Sequence, residues 1–279
     1  MGDPLAGLAD VPWRQLHHAH GVAADVPDRL RMLRSPNAST RDGALSWLSG
    51  AVYHQGTRWP VSAAVVPFLV ALVDDPDTPE RESLLTLLRA VVVGDEALPF
   101  TPDFAAGDEL SADDLAEVAR LLFESENPHD EAPAEYFDAA AVRWAADAYR
   151  AGQEHVTSYA GWLSDPVVAA QAAELLAYFP ADEAVVDALV TSVAPASANL
   201  TLGYLSGFPL VDKHLTALLD ADALDVRMTA AIALAFRLGA DLPGAALDLL
   251  VDEKPPPAPA GWDRSMRGFV ALALRRVGL

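Results

Sequence analysis

Asp225-Val226-Arg227-Met228-Thr229-Ala230-Ala231-Ile232-Ala233-Leu234 is the stretch on which the fold reading turns. Arg227 is followed at i+3, i+4 and i+7 by Ala230, Ala231 and Leu234, which places three apolar residues on one stripe of a helix. The template returns where Arg41 leads Ala44, Leu45 and Leu48, and where Arg81 leads Leu84, Leu85 and Leu88. It returns again where Arg267 leads Val270, Ala271 and Leu274. Three degenerate copies without the Arg lie between: Ala141 before Trp144, Ala145 and Ala148; Ala169 before Ala172, Ala173 and Leu176; Leu200 before Gly203, Tyr204 and Gly207. Successive copies are 40, 60, 28, 31, 27 and 40 residues apart, a spacing that suits repeated helix pairs with one insertion in the longest step.

Working outward, helices are expected near 11–19, 27–34, 39–53, 60–73, 79–93, 111–125, 134–150, 153–163, 166–178, 182–193, 198–206, 210–219, 223–238, 243–251 and 264–277. Pro27, Pro60, Pro79, Pro166 and Pro243 sit at proposed starts, where a missing N–H costs little. The composition agrees, being 52% hydrophobic and rich in Ala and Leu, residues that lose little side-chain freedom in helices. β-branched runs bounded by Asn-Gly or Asp-Gly turns are missing. Low complexity is confined to Lys254-Pro255-Pro256-Pro257-Ala258-Pro259-Ala260-Gly261, read as an extended connector to a last, capping helix.

The helix after each Asp-rich turn resembles the second helix of a HEAT repeat, most clearly at Asp225-Val226-Arg227 with its Ala-Ala-x-x-Leu continuation. The resemblance implies an Asp/Arg ladder between neighbouring repeats, which should break where Asp165-Pro166-Val167-Val168-Ala169 keeps the Asp and loses the Arg. The run from Trp47 to Phe68, with Tyr53-His54-Gln55-Gly56-Thr57 and Ala64-Val65-Val66-Pro67-Phe68, resembles a set of actinobacterial HEAT-repeat proteins. That resemblance implies a fold and no activity.

The fold expectation is therefore all-α: an α-solenoid of stacked antiparallel helix pairs, HEAT-like and a right-handed superhelix. One domain is expected over 1–279, with an acidic insertion at about 95–135 and a C-terminal capping helix at about 264–277.

Charge narrows the partners. The net charge is -21, and residues 61–279 hold 13 basic against 35 acidic side chains. Nucleic acid and anionic membrane reward Lys and Arg through counterion release, so neither is expected; a protein or cationic ligand is. With no Cys there is neither a disulfide nor a thiolate metal site. The first ten residues lack the pattern of a signal peptide, and apolar runs are interrupted before bilayer length, so a cytoplasmic chain is expected.

Residues 95–135 carry 13 Asp or Glu and one basic residue, Arg120. This segment reads as an acidic lid or arm for a cationic partner, or as a solvated loop with one exposed helix. Within it Asp113, Asp114 and Glu117 spell D-D-x-x-E, a pattern able to hold Mg²⁺, yet Ser111 before them makes an N-cap and acidic first turn the stronger reading. His17 and His20 share a helix face at i, i+3 without a third ligand, so no metal and no cofactor is expected. In the Tyr53-His54-Gln55-Gly56-Thr57 turn, Gly56 suits the left-handed end of a helix, which presents His54 and Gln55 beside Arg58 and Trp59.

Gly-x-Ser-x-Gly, Walker and dinucleotide fingerprints are all missing. The function expected is a protein-binding scaffold using a concave face and the acidic insertion, including an immunity-type inhibitor of a basic partner. The alternative is an enzyme or small-molecule binder with a pocket between the N-terminal helices and the insertion. It would be built from Tyr53, His54, Gln55, Arg58 and Asp113, with His54 and Asp113 as catalytic candidates.

Overall fold

The computed structural model describes residues 2–125 and 131–279. It is helix-rich, and its contacts divide the chain into two compact units, residues 1–96 with 101–155, and residues 97–100 with 156–279.

In the first unit, α1 (Val26–Met32) packs on α2 (Ala38–Val52), and α3 (Ser62–Asp74) on α4 (Arg81–Val92). After α5 (Ala105–Asp108) and α6 (Ala112–Glu124), the long α7 (Ala134–Gln153) lies against α3, α4, α5 and α6. The apolar stripes read from sequence are the packed faces: Ala44 and Leu48 of α2 and Leu84, Leu85 and Leu88 of α4 are buried. Each Leu withdrawn from water contributes about 1.5–3 kcal/mol.

The leading Arg of the template does local work in three of its four copies. Arg41 donates to the Ser35 carbonyl, Arg81 to the Val73 carbonyl at 2.7 Å, and Arg227 to the Ala221 and Asp222 carbonyls. Each guanidinium thereby reaches back to carbonyls just before its own helix and ties it to the chain that precedes it. Arg267 is exposed. Between the first two pairs, Arg34 meets Asp75 at 2.9 Å and Arg41 meets Glu80 at 2.6 Å. Glu80 holds a left-handed φ of 57° immediately before α4, a conformation costing about 1–3 kcal/mol that the Arg41 contact helps retain. At Asp225 the implied ladder does not form, because that carboxylate accepts from the Val226 N–H while Arg227 turns to carbonyls.

Residues 11–19, expected as a helix, form a 3-10 turn at Trp13–Gln15 and then β1 (His17–His18), paired antiparallel with β2 (Gly21–Val22). The Ala19 N–H donates to Ala51 and the Val61 N–H to His17, so tertiary hydrogen bonds replace helical ones. A second hairpin, β3 (Tyr53–His54) with β4 (Thr57–Arg58), turns through Gln55 at φ 49° and Gly56 at φ 84°. Two successive left-handed residues make a two-residue hairpin turn, so Gly56 does not serve as the helix end expected of it.

The second unit consists of α8 (Val156–Trp162), α9 (Ala169–Leu176), α10 (Glu183–Val190), α11 (Pro195–Tyr204), α12 (Pro209–Ala217), α13 (Leu224–Leu238), α14 (Gly244–Asp252) and α15 (Met266–Arg276). Chain neighbours pack as α8 on α9, α10 on α11 and α12 on α13. Alternate helices also touch, α8–α10–α12 on one side and α9–α11–α13–α15 on the other.

The degenerate copy at Leu200 lies in the most enclosed helix, α11, with Ala196 through Gly203 all buried. Its polar side chains are satisfied from neighbouring helices: Ser197 reaches the Ala170 and Ala260 carbonyls, Asn199 reaches Val226 and Thr229, and Thr201 reaches Ala173. The Pro-rich connector is thereby held against α9 and α11, and Gly261, at φ 88°, leaves no room for a Cβ beside the Ala170 carbonyl. Arg237, with 7% of its side chain exposed, bonds Asp212 and the Leu202, Leu205 and Phe208 carbonyls, closing the α11–α12 turn.

Among the described residues no helix is long and apolar enough to cross a membrane.

At Gly203 an added Cβ would lie 2.8 Å from the Ala233 Cα, so α11 and α13 touch nearly backbone to backbone. Gly203→Ala is expected to force them apart and cost about 1–3 kcal/mol, read as a lower urea midpoint. An unchanged midpoint would contradict this packing.

Candidate functional site

The N-terminal third, singled out for its histidines, is where the first unit gathers its aromatic side chains. His18 is buried, accepts the His20 backbone N–H at Nδ1 (3.0 Å) and faces Asp25 through Nε2 at 3.2 Å. Since Nδ1 accepts, the neutral ring carries its proton on Nε2 and donates it to Asp25. Its edge meets Trp47 at 5.1 Å, while His20 approaches His54 at 5.2 Å. His17 points elsewhere, stacked on Phe123 at 4.5 Å and 9°. His17 and His20 thus do not share a face, because they lie on a hairpin. Among the described residues no group of three or more His, Asp or Glu is placed to hold a metal ion.

Tyr53 and Arg58 come together at the other hairpin. The Arg58 guanidinium lies over the Tyr53 ring at 5.7 Å, and its Nε donates to the Val91 carbonyl at 3.1 Å. Gly94, at φ 87°, is pressed so close that a Cβ would stand 2.5 Å from an Arg58 nitrogen. Arg58 is therefore clamped at the C-terminal end of α4, where helix carbonyls favour a cation. Burial lowers its pKa from the usual arginine value, and burial with the Asp95 carboxylate pushes the Tyr53 hydroxyl up. Gln55 and Gly56 are exposed at the turn.

The acidic insertion is docked by apolar and ionic contacts. Val118 and Leu121 of α6 join Phe137, Ala140 and Trp144 of α7 in a core cluster, with Trp59, Leu115 and Tyr136 packed on it. Gly107 of α5 abuts the Arg143 backbone, and Arg150 holds Asp108 at 2.7 Å. Ser111 and Asp114 form a reciprocal capping box at the start of α6, and the Tyr136 hydroxyl donates to Asp114. Hydrogen bonds from Ser111 and Tyr136 hold the Asp114 carboxyl below the usual carboxylate range. Glu117 is held low by Arg120, which it meets through both oxygens at 2.8 Å. Asp113 is exposed, so the D-D-x-x-E run is a cap, an ion pair and one solvated acid. Residues 126–130 of the insertion lie outside the described residues.

A cleft of about 250 Å³ opens in this unit between the N-terminal segment (Gln15, His17), the start of α3 (Trp59, Pro60, Ala63), α6 (Leu115, Ala116, Ala119) and α7 (Trp144, Asp147). Its lining rings are linked: Trp59 stacks on Trp144 at 5.8 Å and 24°, and Phe123, which does not itself line the cleft, meets Trp59 at 5.8 Å and His17 at 4.5 Å. The Trp59 Nε1 atom is buried without a hydrogen-bond partner among the described residues. The cleft lies beside the insertion, and Trp59, expected as a binding residue next to Arg58, is part of its wall. Tyr53, His54, Gln55, Arg58 and Asp113 do not line it. His17, Gln15, Trp144 and Asp147 do; of these the sequence draws attention as a site candidate to His17 alone, among the early histidines. The residues that line the cleft offer ring surfaces, one imidazole, one amide and one carboxylate, a set suited to holding a ligand.

No protein-family model, no curated protein and no solved structure matches the chain.

Burial lowers the pKa of His17, His18 and His214, in each case as the largest cause; it outweighs the Glu124 carboxylate beside His17 and the Asp25 contact of His18. The folded chain binds these protons less readily than the unfolded chain, so their contribution is complete above the usual histidine pKa of about 6.5 and is lost as pH falls below it. The urea midpoint should therefore drop between about pH 7 and pH 5.5, before carboxylates titrate. A midpoint that is constant or rises across this interval would contradict the assignment.

Proposed function

We propose that the chain is a binding module built from HEAT-type helix pairs and that it recognises its partner through the cleft of the first unit. The repeat reading is supported by the packing of the second unit, where α8–α9, α10–α11 and α12–α13 pair and where α8–α10–α12 and α9–α11–α13–α15 touch in succession. Such stacking is how a solenoid buries a face that no single pair can bury alone. A right-handed superhelix is the form this reading takes within each unit. The Arg34–Asp75 and Arg41–Glu80 contacts between the first two pairs support it in the other.

One observation carries the choice of site: an aromatic-walled cleft with few polar groups, at the junction of the N-terminal segment, α3, α6 and α7. Hot spots of protein recognition are enriched in such aromatic anchors, and small-ligand sites share the same mix of ring surface and few polar groups. The acidic surface of α6 is the weaker site, since Asp114 and Glu117 are already engaged in the cap and with Arg120.

Filling the cleft with Ala119→Phe tests the assignment. Proteins that co-purify with the tagged chain from its native cells, quantified against an untagged control, should be lost with Ala119→Phe and retained with the surface double variant Asp113→Asn/Glu117→Gln. Retention with Ala119→Phe and loss with the acidic variant would transfer the site to the insertion surface and overturn this reading.

A further inference from the structure

We propose that the group received by this cleft is a lysine side chain of a basic protein partner. The inference rests on the cleft being the binding site. Among the described lining residues the only charged side chain is Asp147, and no Lys or Arg lines the cleft. His17, the other titratable group, is kept neutral at physiological pH by burial. A cation is thus met by a carboxylate that keeps one oxygen beyond its Arg143 contact, and by the Trp59 and Trp144 rings that line the cleft, Trp being the ring type that attracts positive charge most strongly. The chain as a whole, at -21, draws basic partners at longer range.

Hydrogen bonding at Asp147 separates lysine from arginine. Arg143 Nε donates to Asp147 Oδ1 at 3.0 Å, and Arg150 stands 3.8 Å from the same oxygen. Oδ2 has no hydrogen bond among the described residues, so one carboxylate oxygen is left for a ligand. A guanidinium fork calls for two oxygens, whereas an ammonium is a point charge satisfied by one. Size agrees: about 250 Å³ is below the roughly 300–1,000 Å³ of pockets for drug-sized ligands and suits a single long side chain. The apolar lining of Pro60, Ala63, Leu115 and Ala119 faces the aliphatic stem, as lysine stems pack on apolar surface with the charge at the tip.

The test uses the full chain and the indole N–H resonances of its Trp residues, with Trp59 assigned through Trp59→Phe. The probes are N-acetyl-lysine methylamide, its neutral norleucine counterpart and its arginine counterpart. The lysine probe should shift the Trp59 resonance and bind about ten-fold more tightly than either of the others. Free n-butylammonium, lacking the flanking backbone with which a protein presents the side chain, should bind more weakly than the lysine probe. In Asp147→Asn, with the remaining spectrum unchanged, the lysine preference should vanish while the Trp59 response persists. Ala119→Phe should abolish the response to every probe.

Equal binding of norleucine, or of arginine, would overturn the lysine assignment and leave the cleft as a site for another group. So would a lysine preference that survives Asp147→Asn. An n-butylammonium affinity equal to that of the lysine probe would overturn the presented side chain in favour of a free amine. A Trp59 resonance unmoved by all probes would overturn both this inference and the reading on which it rests.

Discussion

Trp59 lies 5.8 Å from Trp144 with their rings nearly parallel, and through that contact a residue that closes the second hairpin meets the middle of α7. Phe123 of α6 leans on the same Trp59 and stacks with His17, so four aromatic rings from the N-terminal strand, the start of α3, α6 and α7 form one connected cluster. Each such ring pair contributes about 0.5–1.5 kcal/mol beyond the area it buries. The geometry matters more than the sum. Without it the acidic insertion has no fixed place against the N-terminal segment and the cleft has no second side.

The second unit obeys a different constraint, in which helices approach closely through small residues. Ala196, Ser197, Ala198 and Gly203 let α11 lie between α9 and α13, and Ser197, Asn199 and Thr201 of that helix are tolerated because each finds a partner on a neighbour. A buried hydroxyl or amide left alone would cost about 1–3 kcal/mol. The template's Arg and the buried Arg237 follow the same logic at turns, spending their donors on carbonyls that helix ends leave unpaired. Arg237 is absent from the repeat template, so spacing alone does not reveal it.

Helix positions were legible in the sequence because apolar residues at i, i+3, i+4 and i+7 report a buried face directly, and Leu84, Leu85, Leu88, Ala230, Ala231 and Leu234 are buried as that pattern requires. The two hairpins were not legible. Their strands are two residues long, too short for alternation to register, and the first is tied by hydrogen bonds to Ala51 and Val61 that no local pattern encodes. The error at residues 11–19 carried into the site, because a helical His17 would point beside His20 instead of toward Phe123. Trp59 was singled out for its place after the turn, and it is in the wall. Asp147 and Trp144 were not singled out, since their facing depends on how α7 packs on α3 and α6. The capping role of Ser111 and Asp114 was legible because it is local, needing only the residues within one helical turn.

The central claim is that α6 is docked on the N-terminal strand to make a formed cleft. Nuclear Overhauser contacts between the His17 imidazole and the Phe123 ring in the intact chain measure this most directly. Stacking at 4.5 Å predicts strong cross-peaks and His17 ring protons displaced upfield by the Phe123 ring current. His17 protons at unperturbed shifts, with no cross-peak to Phe123, would contradict the account.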